Sequence, residues 1–330
     1  MKQPYTTIIF ISLAAIAVFL FAMDLAVGAV DIPLSDVCKA LTGGNCSAAT
    51  SKIILDIRLI KAVVAIIAGA SLSVSGLQMQ TLFRNPLAGP YVLGISSGGS
   101  LGVALFILGM PLLGISSFSS PLGIAGAAWL GSAAVLLIIA AAGHRIKDIM
   151  VILIIGMMFS SGVSAVVQIL QYLSKEETLK SYVIWTMGSL GDVTISQLPV
   201  FVVSVIAGMI LAVATIKPLN ILLFGEEAAI TMGLNIRRAR TLLFISTTLL
   251  AGTVTAFCGP IGFIGLAMPH ITRMLFRNSD HRVLVPGTIL TGAIILLLCD
   301  IISKIFTLPI NAITALVGIP VVVWVVLRNR

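Results

Sequence analysis

Charge is what this sequence has least of. Only 10% of its 330 residues are charged, against 58% hydrophobic, and the mean hydropathy is +1.15. So little polar surface cannot cover a water-soluble globule of this length, and the chain is an integral membrane protein. Short segments of alternating polarity, half the length of a helical span, are also lacking, which excludes a membrane β-barrel. There is no G-x-x-x-x-G-K-[ST] phosphate loop and no lysine follows a glycine, so ATP hydrolysis is not expected of this chain. No nucleophile, base and orienting group can be named together within the apolar segments, which argues against an enzyme. The three histidines and four cysteines form no cluster with metal-ligand spacing, and no metal or other cofactor is expected on the chain.

What is present is a succession of apolar windows of about twenty residues, each long enough to cross a hydrocarbon core of roughly 30 Å. Ten spans are expected, at 6–28, 55–83, 91–110, 122–143, 149–172, 196–217, 239–257, 262–276, 284–304 and 310–327. The fold class is therefore all-α, a single transmembrane domain over residues 1–330. The first span has a second reading as a cleaved signal peptide, with a small-residue site at Val27-Gly28-Ala29, but its apolar stretch is longer than a typical signal core. With both termini in the cytoplasm, 13 of the 20 basic residues fall inside, the expected positive-inside bias. The net charge of +8 thus reports orientation and not nucleic-acid binding.

Loops are short. The external segment 31–54 carries Ile32, Leu34, Val37 and Leu41 among polar residues, the pattern of a surface helix. It also holds Cys38 and Cys46, either a staple across a turn or two free thiols; spacing does not decide between them. In 173–195, Ser174 and Glu177 match a capping box ahead of a second external helix, and Trp185 is an interfacial anchor. Gly94, Gly98 and Gly102, like Gly69, Ser73 and Gly76, allow close helix packing, within one bundle or at a dimer face.

Two blocks interrupt apolar runs with turn chemistry. In 75–99, Gln80 ends a helix, Arg84 leaves the bilayer, and Asn85-Pro86 and Gly89-Pro90 force turns. In 259–273 a glycine-rich stretch precedes Pro269-His270. Between spans on the inner side, Gly225-Glu226-Glu227-Ala228-Ala229-Ile230-Thr231-Met232-Gly233 reads as a short helix lying outside the membrane. Its acids sit at the positive dipole end and Gly233 is its C-cap.

These blocks, with Ile57-Arg58-Leu59, Asp280-His281-Arg282 and Leu308-Pro309, carry a resemblance over nearly the whole chain. The sequence resembles the FecCD-type permeases of type II ABC importers, the iron-chelate (siderophore, haem) and cobalamin family. The resemblance implies a homodimer of ten-helix subunits in the bacterial inner membrane, two cytoplasmic ATPase subunits holding ATP and Mg, and a periplasmic substrate-binding protein. It makes 225–233 the coupling helix, docking on the ATPase through Gly225, Glu226, Glu227, Ala228, Ala229, Met232 and Gly233. The small Ala228 and Ala229 would let a partner groove close over it, and Arg237, Arg238 and Arg240 would hold its end at the headgroups. It assigns Arg58, Lys61 and Lys304 to docking of the binding protein. It assigns Gln80, Arg84, Asn85, Pro86, Lys147 and Asp148 to an inner gate and hinge, and Gly262, Gly265, Pro269 and Asn311 to a pathway or broken helix. His270 belongs to the fold near the inner surface.

Several positions depart from the family pattern. Lysines replace arginines at Lys61 and Lys304, exchanging bidentate pairing for point charges. Asn311 stands where glycine is common, to line the outer pathway or to cap the last helix. Asp300, one turn before Lys304, is expected to pair with it, and Asp24 to reach headgroups from a span end. An ion-coupled carrier is the rival class, but it would place titratable groups mid-membrane and pair its broken helices. A passive membrane anchor would not need the hinges.

Overall fold

The computed structural model describes residues 3–28, 30, 32–44, 46–114, 120–146 and 148–328. Every regular element among them is helical. The chain begins with α1 (Gln3–Ala26), crosses the short α2 (Leu34–Thr42) and α3 (Ala48–Lys52), and enters α4 (Leu59–Leu82) through a π-helical turn. α5 (Ile95–Ala104) runs through another π turn into α6 (Met110–Leu112), followed by α7 (Pro121–Arg145), α8 (Ile149–Leu173) and the short α9 (Glu176–Thr186). Next come α10 (Leu198–Ala214), α11 (Ile216–Leu222), α12 (Glu226–Thr231) and α13 (Ile236–Thr247), which passes by a π turn into α14 (Thr253–Cys258). The order closes with α15 (Ile264–Phe276), α16 (His281–Phe306) and α17 (Ile310–Arg328).

Ten helical stretches thus follow the ten expected spans in order. Six are individually long and apolar enough to cross a membrane, and α10 with α11 forms a seventh bent by 48°. The bend has a local cause: Pro218 has no N–H for the carbonyl of residue 214, and the Thr215 hydroxyl donates instead to the Ala212 carbonyl at 2.9 Å. α15, at 13 residues, rises only about 20 Å, so the expected span 262–276 is a half-helix entered through non-helical residues 259–263.

α4 is the axis of the bundle, buried along nearly its whole length against α15 and α16. Close approach is made by absent side chains. A Cβ on Gly76 would lie 1.6 Å from the Gly265 carbonyl oxygen, and Pro269, four residues on, supplies no N–H to that carbonyl. Gly98 and Gly131 make the same kind of crossing between α5 and α7. These glycines are spent inside one chain, which decides for the packing reading at these crossings.

One local expectation changes, and two others gain detail. Ser174 does not cap α9; its hydroxyl turns back to the Leu170 carbonyl, and Lys175 takes the N-cap position without a side-chain bond. Trp185, half-buried, packs against Tyr182, ring centroids 6.1 Å apart, at the edge of a core cluster. Among the described side chains of α2, Val37 and Ala40 are buried, whereas Leu41 is exposed; that of Leu34 lies outside them, and Cys38 and Cys46 are both free.

Candidate coupling surface, hinge and transport path

At one end of the bundle, the chain leaves α11 and turns at Gly225, whose φ of 100° favours glycine, into α12. The helix closes as its sequence predicts: Gly233 N–H donates to the Ile230 carbonyl and Leu234 N–H to the Ala229 carbonyl, both at 2.9 Å, a Schellman cap. Ala229 is fully buried, so it faces the bundle and not a partner; the outward face is Glu227, Ile230 and Met232, continued by Phe224. Arg240 is turned inward and pairs with Glu226 at 2.5 Å, while Arg237 and Arg238 stay exposed. The expectation that all three arginines reach headgroups fails for Arg240, which is buried against Glu226. An ion pair beneath the helix is the better use of a charge on the α13 face that meets the core.

α12 shares one apolar cluster with the predicted hinge. Ala229, Leu219 and Leu222 pack with Leu82 and Phe83 from the end of α4, and with Ile146, Ile149 and Ile152 around the α7–α8 turn. Displacement of α12 must therefore move or strain both. Asp148 caps α8, accepting the Met150 N–H at 2.8 Å; Lys147 lies outside the described residues.

The hinge itself is tied to α15. Gln80 donates to the Leu266 carbonyl at 2.9 Å and accepts from Arg273 at 2.6 Å. His270 Nε2 lies 2.8 Å from the Pro86 carbonyl oxygen, which confirms His270 as a fold residue. Arg84 adopts a left-handed φ of 48°, and its guanidinium lies over Gly225, 3.2 Å from where a Cβ would stand. Asn85 closes the turn: its N–H donates to the Gln80 carbonyl, and its side chain accepts the Leu87 N–H. The predicted hinge residues are thus brought together, and joined to α12 by a contact that sequence reasoning missed.

Residues 259–263 form the broken segment. Asn311, near the start of α17, accepts the Gly262 N–H at 3.0 Å, and its own N–H donates to the Met187 carbonyl. Asn311 is neither a helix cap nor a free lining group: it clamps the break. The Tyr91 hydroxyl donates to the Ile261 carbonyl, and Ser189 N–H to that of Cys258 at 2.8 Å.

At the opposite end from α12, the three basic residues predicted to dock a partner are largely engaged within the chain. Arg58, 4% exposed, donates to the carbonyls of Leu25, Ala26 and Val30 and so closes the end of α1. Lys304 is buried between Asp24 at 2.8 Å and Asp300 at 2.9 Å. Lys61 pairs with Asp300 at 3.0 Å and keeps 22% of its side chain exposed, on a cleft of about 570 Å³ lined also by Asp56 and Ser196. The expected Asp300–Lys304 pair exists, enlarged into a four-charge cluster with zero net charge. Asp24 is fully buried in it, not at the headgroups. A single acid near a span end gives no hint of a partner 280 positions away.

A second cleft, of about 390 Å³, opens between α5, α8 and α9. Ser96, Ser97 and Ser100 come from α5, Ser164, Gln168 and Gln171 from α8, and Tyr91 and Tyr182 also line it. Sequence reasoning named none of them, although Ser164, Gln168 and Gln171 stand at i, i+4 and i+7 on an otherwise apolar helix.

Comparison with known proteins agrees with this architecture. Residues 16–328 match the FecCD transport family. The hemin transport permease HmuU of Yersinia pestis is 37% identical over 286 residues, covering 84% of this chain and 83% of the relative. The vitamin B12 import permease BtuC of Salmonella typhi is 36% identical, covering 83% of each chain. The ferric enterobactin permease FepD of Escherichia coli K12 is 31% identical, covering 93% and 91%. An inward-facing structure of a metal-chelate type ABC transporter superposes with a TM-score of 0.84 at 29% identity, covering 96% of this chain and 98% of the other.

Proposed function

The chain belongs to the FecCD transport family and is a multi-pass ABC transporter permease, and from that premise we propose that it imports a bulky metal chelate. The chelate is a ferric siderophore or haem, handed over by a periplasmic binding protein and moved by alternating access; cobalamin is the second reading, since a vitamin B12 permease is among its relatives. The working unit is a homodimer in the inner membrane with two ATPase subunits, which hold ATP and Mg. The termini and α12 face the cytoplasm.

The observation that carries this reading is the common core of α12, the end of α4 and the start of α8. ATPase closure on the exposed face of Glu227, Ile230 and Met232 displaces α12. The shared cluster and the Arg84–Gly225 contact pass that displacement to the hinge, whose clamp on α15 through Gln80, Arg273 and His270 moves with it. α8 tilts from its Asp148 cap, so that the 143–148 turn acts as the inner gate. On the outer face, Lys61 is the docking charge of the three that reaches the surface. Arg58 and Lys304 act behind it by fixing α1 and α16.

The test is uptake into ATP-loaded liposomes containing this chain, its ATPase and its binding protein, with Ile230→Asp and Met232→Asp in α12. Wild-type accumulation, lost in the variants while the complex still assembles, is the expected result. Uptake untouched by both variants refutes α12 as the coupling element.

A further inference from the structure

The cleft between α5, α8 and α9 has a chemistry that the family alone does not specify. Its described lining is two valines, two tyrosines, four serines and two glutamines, with no charged side chain. Some of its polar groups are spent inside the chain: the Ser164 hydroxyl donates to the Ser160 carbonyl at 2.9 Å, Tyr91 to Ile261, and Ser100 bonds with Tyr182. Ser96, Ser97, Gln168 and Gln171 remain, and none of their side chains has a hydrogen-bond partner within the described protein. Ser96 is 8% exposed, yet its hydroxyl opens onto the cleft.

A polar stripe on a helix as apolar as α8 is costly against lipid, because amide groups lose their water without replacement. The stripe is stable where it meets water or a hydrogen-bonding cargo. Two primary amides and two hydroxyls offer donors and acceptors together, matching a ligand whose rim carries amide and hydroxamate oxygens. They offer no counter-charge. An anionic ligand entering here would shed water with no cation to replace it.

Resting on the permease reading above but reordering its ligands, so that haem falls behind cobalamin, we infer that this cleft is a ligand-contact site on the pathway and selects uncharged chelates rimmed with amide or hydroxamate groups over anionic ones. A neutral ferric trihydroxamate and cobalamin share that chemistry. A ferric tricatecholate and haem, with its two carboxylates, do not.

The experiment measures uptake of these four ligands by the reconstituted complex, for wild type, Gln168→Arg, and the double variant Gln168→Leu with Gln171→Leu. Ratios between variants cancel the binding protein's own preference. The neutral ligand that accumulates, trihydroxamate or cobalamin, identifies the source. The double leucine variant should slow it by about tenfold, the scale of lost neutral hydrogen bonds. Gln168→Arg, at an exposed position that tolerates the longer side chain, should raise the anionic-to-neutral uptake ratio severalfold. Ratios and rates unmoved by either change, in a complex that accumulates a chelate, overturn the site and leave the permease reading standing. A complex that accumulates none of the four, and whose ATPase ignores its binding protein, overturns both.

Discussion

Glu226 and Arg240 join α12 to α13 by an ion pair of 2.5 Å that lies under the exposed face of α12, with Arg240 almost wholly buried. The pair fixes α12 against the bundle, so that, in the coupling proposed above, a push on its outer face is transmitted and not absorbed. Replacing Arg240 by Met removes the partner of Glu226, whose partly exposed carboxylate turns to water, at a local cost of about 1 kcal/mol or less. The expected outcome is ATP hydrolysis that continues while transport per ATP falls severalfold. Simultaneous measurement of phosphate release and uptake in one liposome preparation checks it; an unchanged ratio contradicts the role.

The α4–α15 crossing predicts a sharp contrast between two glycines. A methyl on Gly76 meets the Gly265 backbone, which cannot step aside, whereas nothing lies within 4 Å of a Cβ on Gly126. Gly76→Ala should abolish monodisperse protein in detergent or lower its melting temperature by many degrees. Gly126→Ala should leave both unchanged or slightly improved, by reducing the freedom of the unfolded chain. Size-exclusion profiles and thermal melts of the two variants decide it.

Lys304 separates two roles that sequence reasoning merged. Lys304→Met leaves the buried Asp24 without its ammonium and Asp300 with Lys61 alone, a change of about 3–5 kcal/mol if both stay ionised. The variant should be poorly folded, and Asp24→Asn added to it should restore much of the loss. Lys61→Gln, at the exposed edge, removes the outer charge but keeps a hydrogen-bond donor for Asp300, which Lys304 still holds; it should instead fold and weaken binding-protein affinity. Melting temperatures for the cycle, and titration of the binding protein onto the complex, distinguish them.

Most of the spans were legible because each is a long apolar run, a signal that survives any arrangement of neighbours, whereas 262–276 read as a full span and is a half-helix. α12 was legible for another reason: glycines at both ends and acids in its first turn are local devices that need no partner. Burial of charge was not legible. Asp24, Lys61, Asp300 and Lys304 each read singly as span-end residues, and only the folded bundle shows that α1, α4 and α16 deliver them to one point. The direction faced by α12 failed similarly: both alanines read as partner-facing, but helical phase against the bundle turns Ala229 inward. The serine and glutamine cleft left a trace at i, i+4 and i+7 on α8, and a search for polar stripes on apolar spans would have found it.

Asp280 predicts a pH dependence outside the membrane. It caps α16, accepting the Arg282 N–H at 2.9 Å and the Asn220 amide at 2.6 Å. The backbone bond from Arg282 is the main cause holding its carboxyl below the usual range; the Asn220 bond and nearby positive charge add to it. A group lowered on folding stabilises the protein at pH above its unfolded value, and the contribution is lost as pH falls through the folded one. Thermal melts taken downward through the carboxylate range should therefore fall less steeply for Asp280→Asn, which keeps a cap without titrating. Parallel curves for the two proteins count against it.

Asn311 makes a prediction about the broken segment that activity alone cannot test. Its side-chain oxygen is the acceptor for the Gly262 N–H, in a stretch where no helix supplies one. Asn311→Ala leaves that amide without a partner, at about 1–3 kcal/mol, unless water enters. The neighbouring bonds from Tyr91 and Ser189 still hold residues 258 and 261, so the break should loosen locally and not unfold. Hydrogen exchange across 259–263 should accelerate by roughly tenfold or more, with exchange in α4 unchanged. Because α15 begins at Ile264 and carries the groups that hold Gln80 and Pro86, a looser entry to α15 should also weaken transmission from hinge to pathway. Slower uptake together with faster exchange at 259–263 is then one effect seen twice. Faster exchange with normal uptake would show the clamp to be structural only.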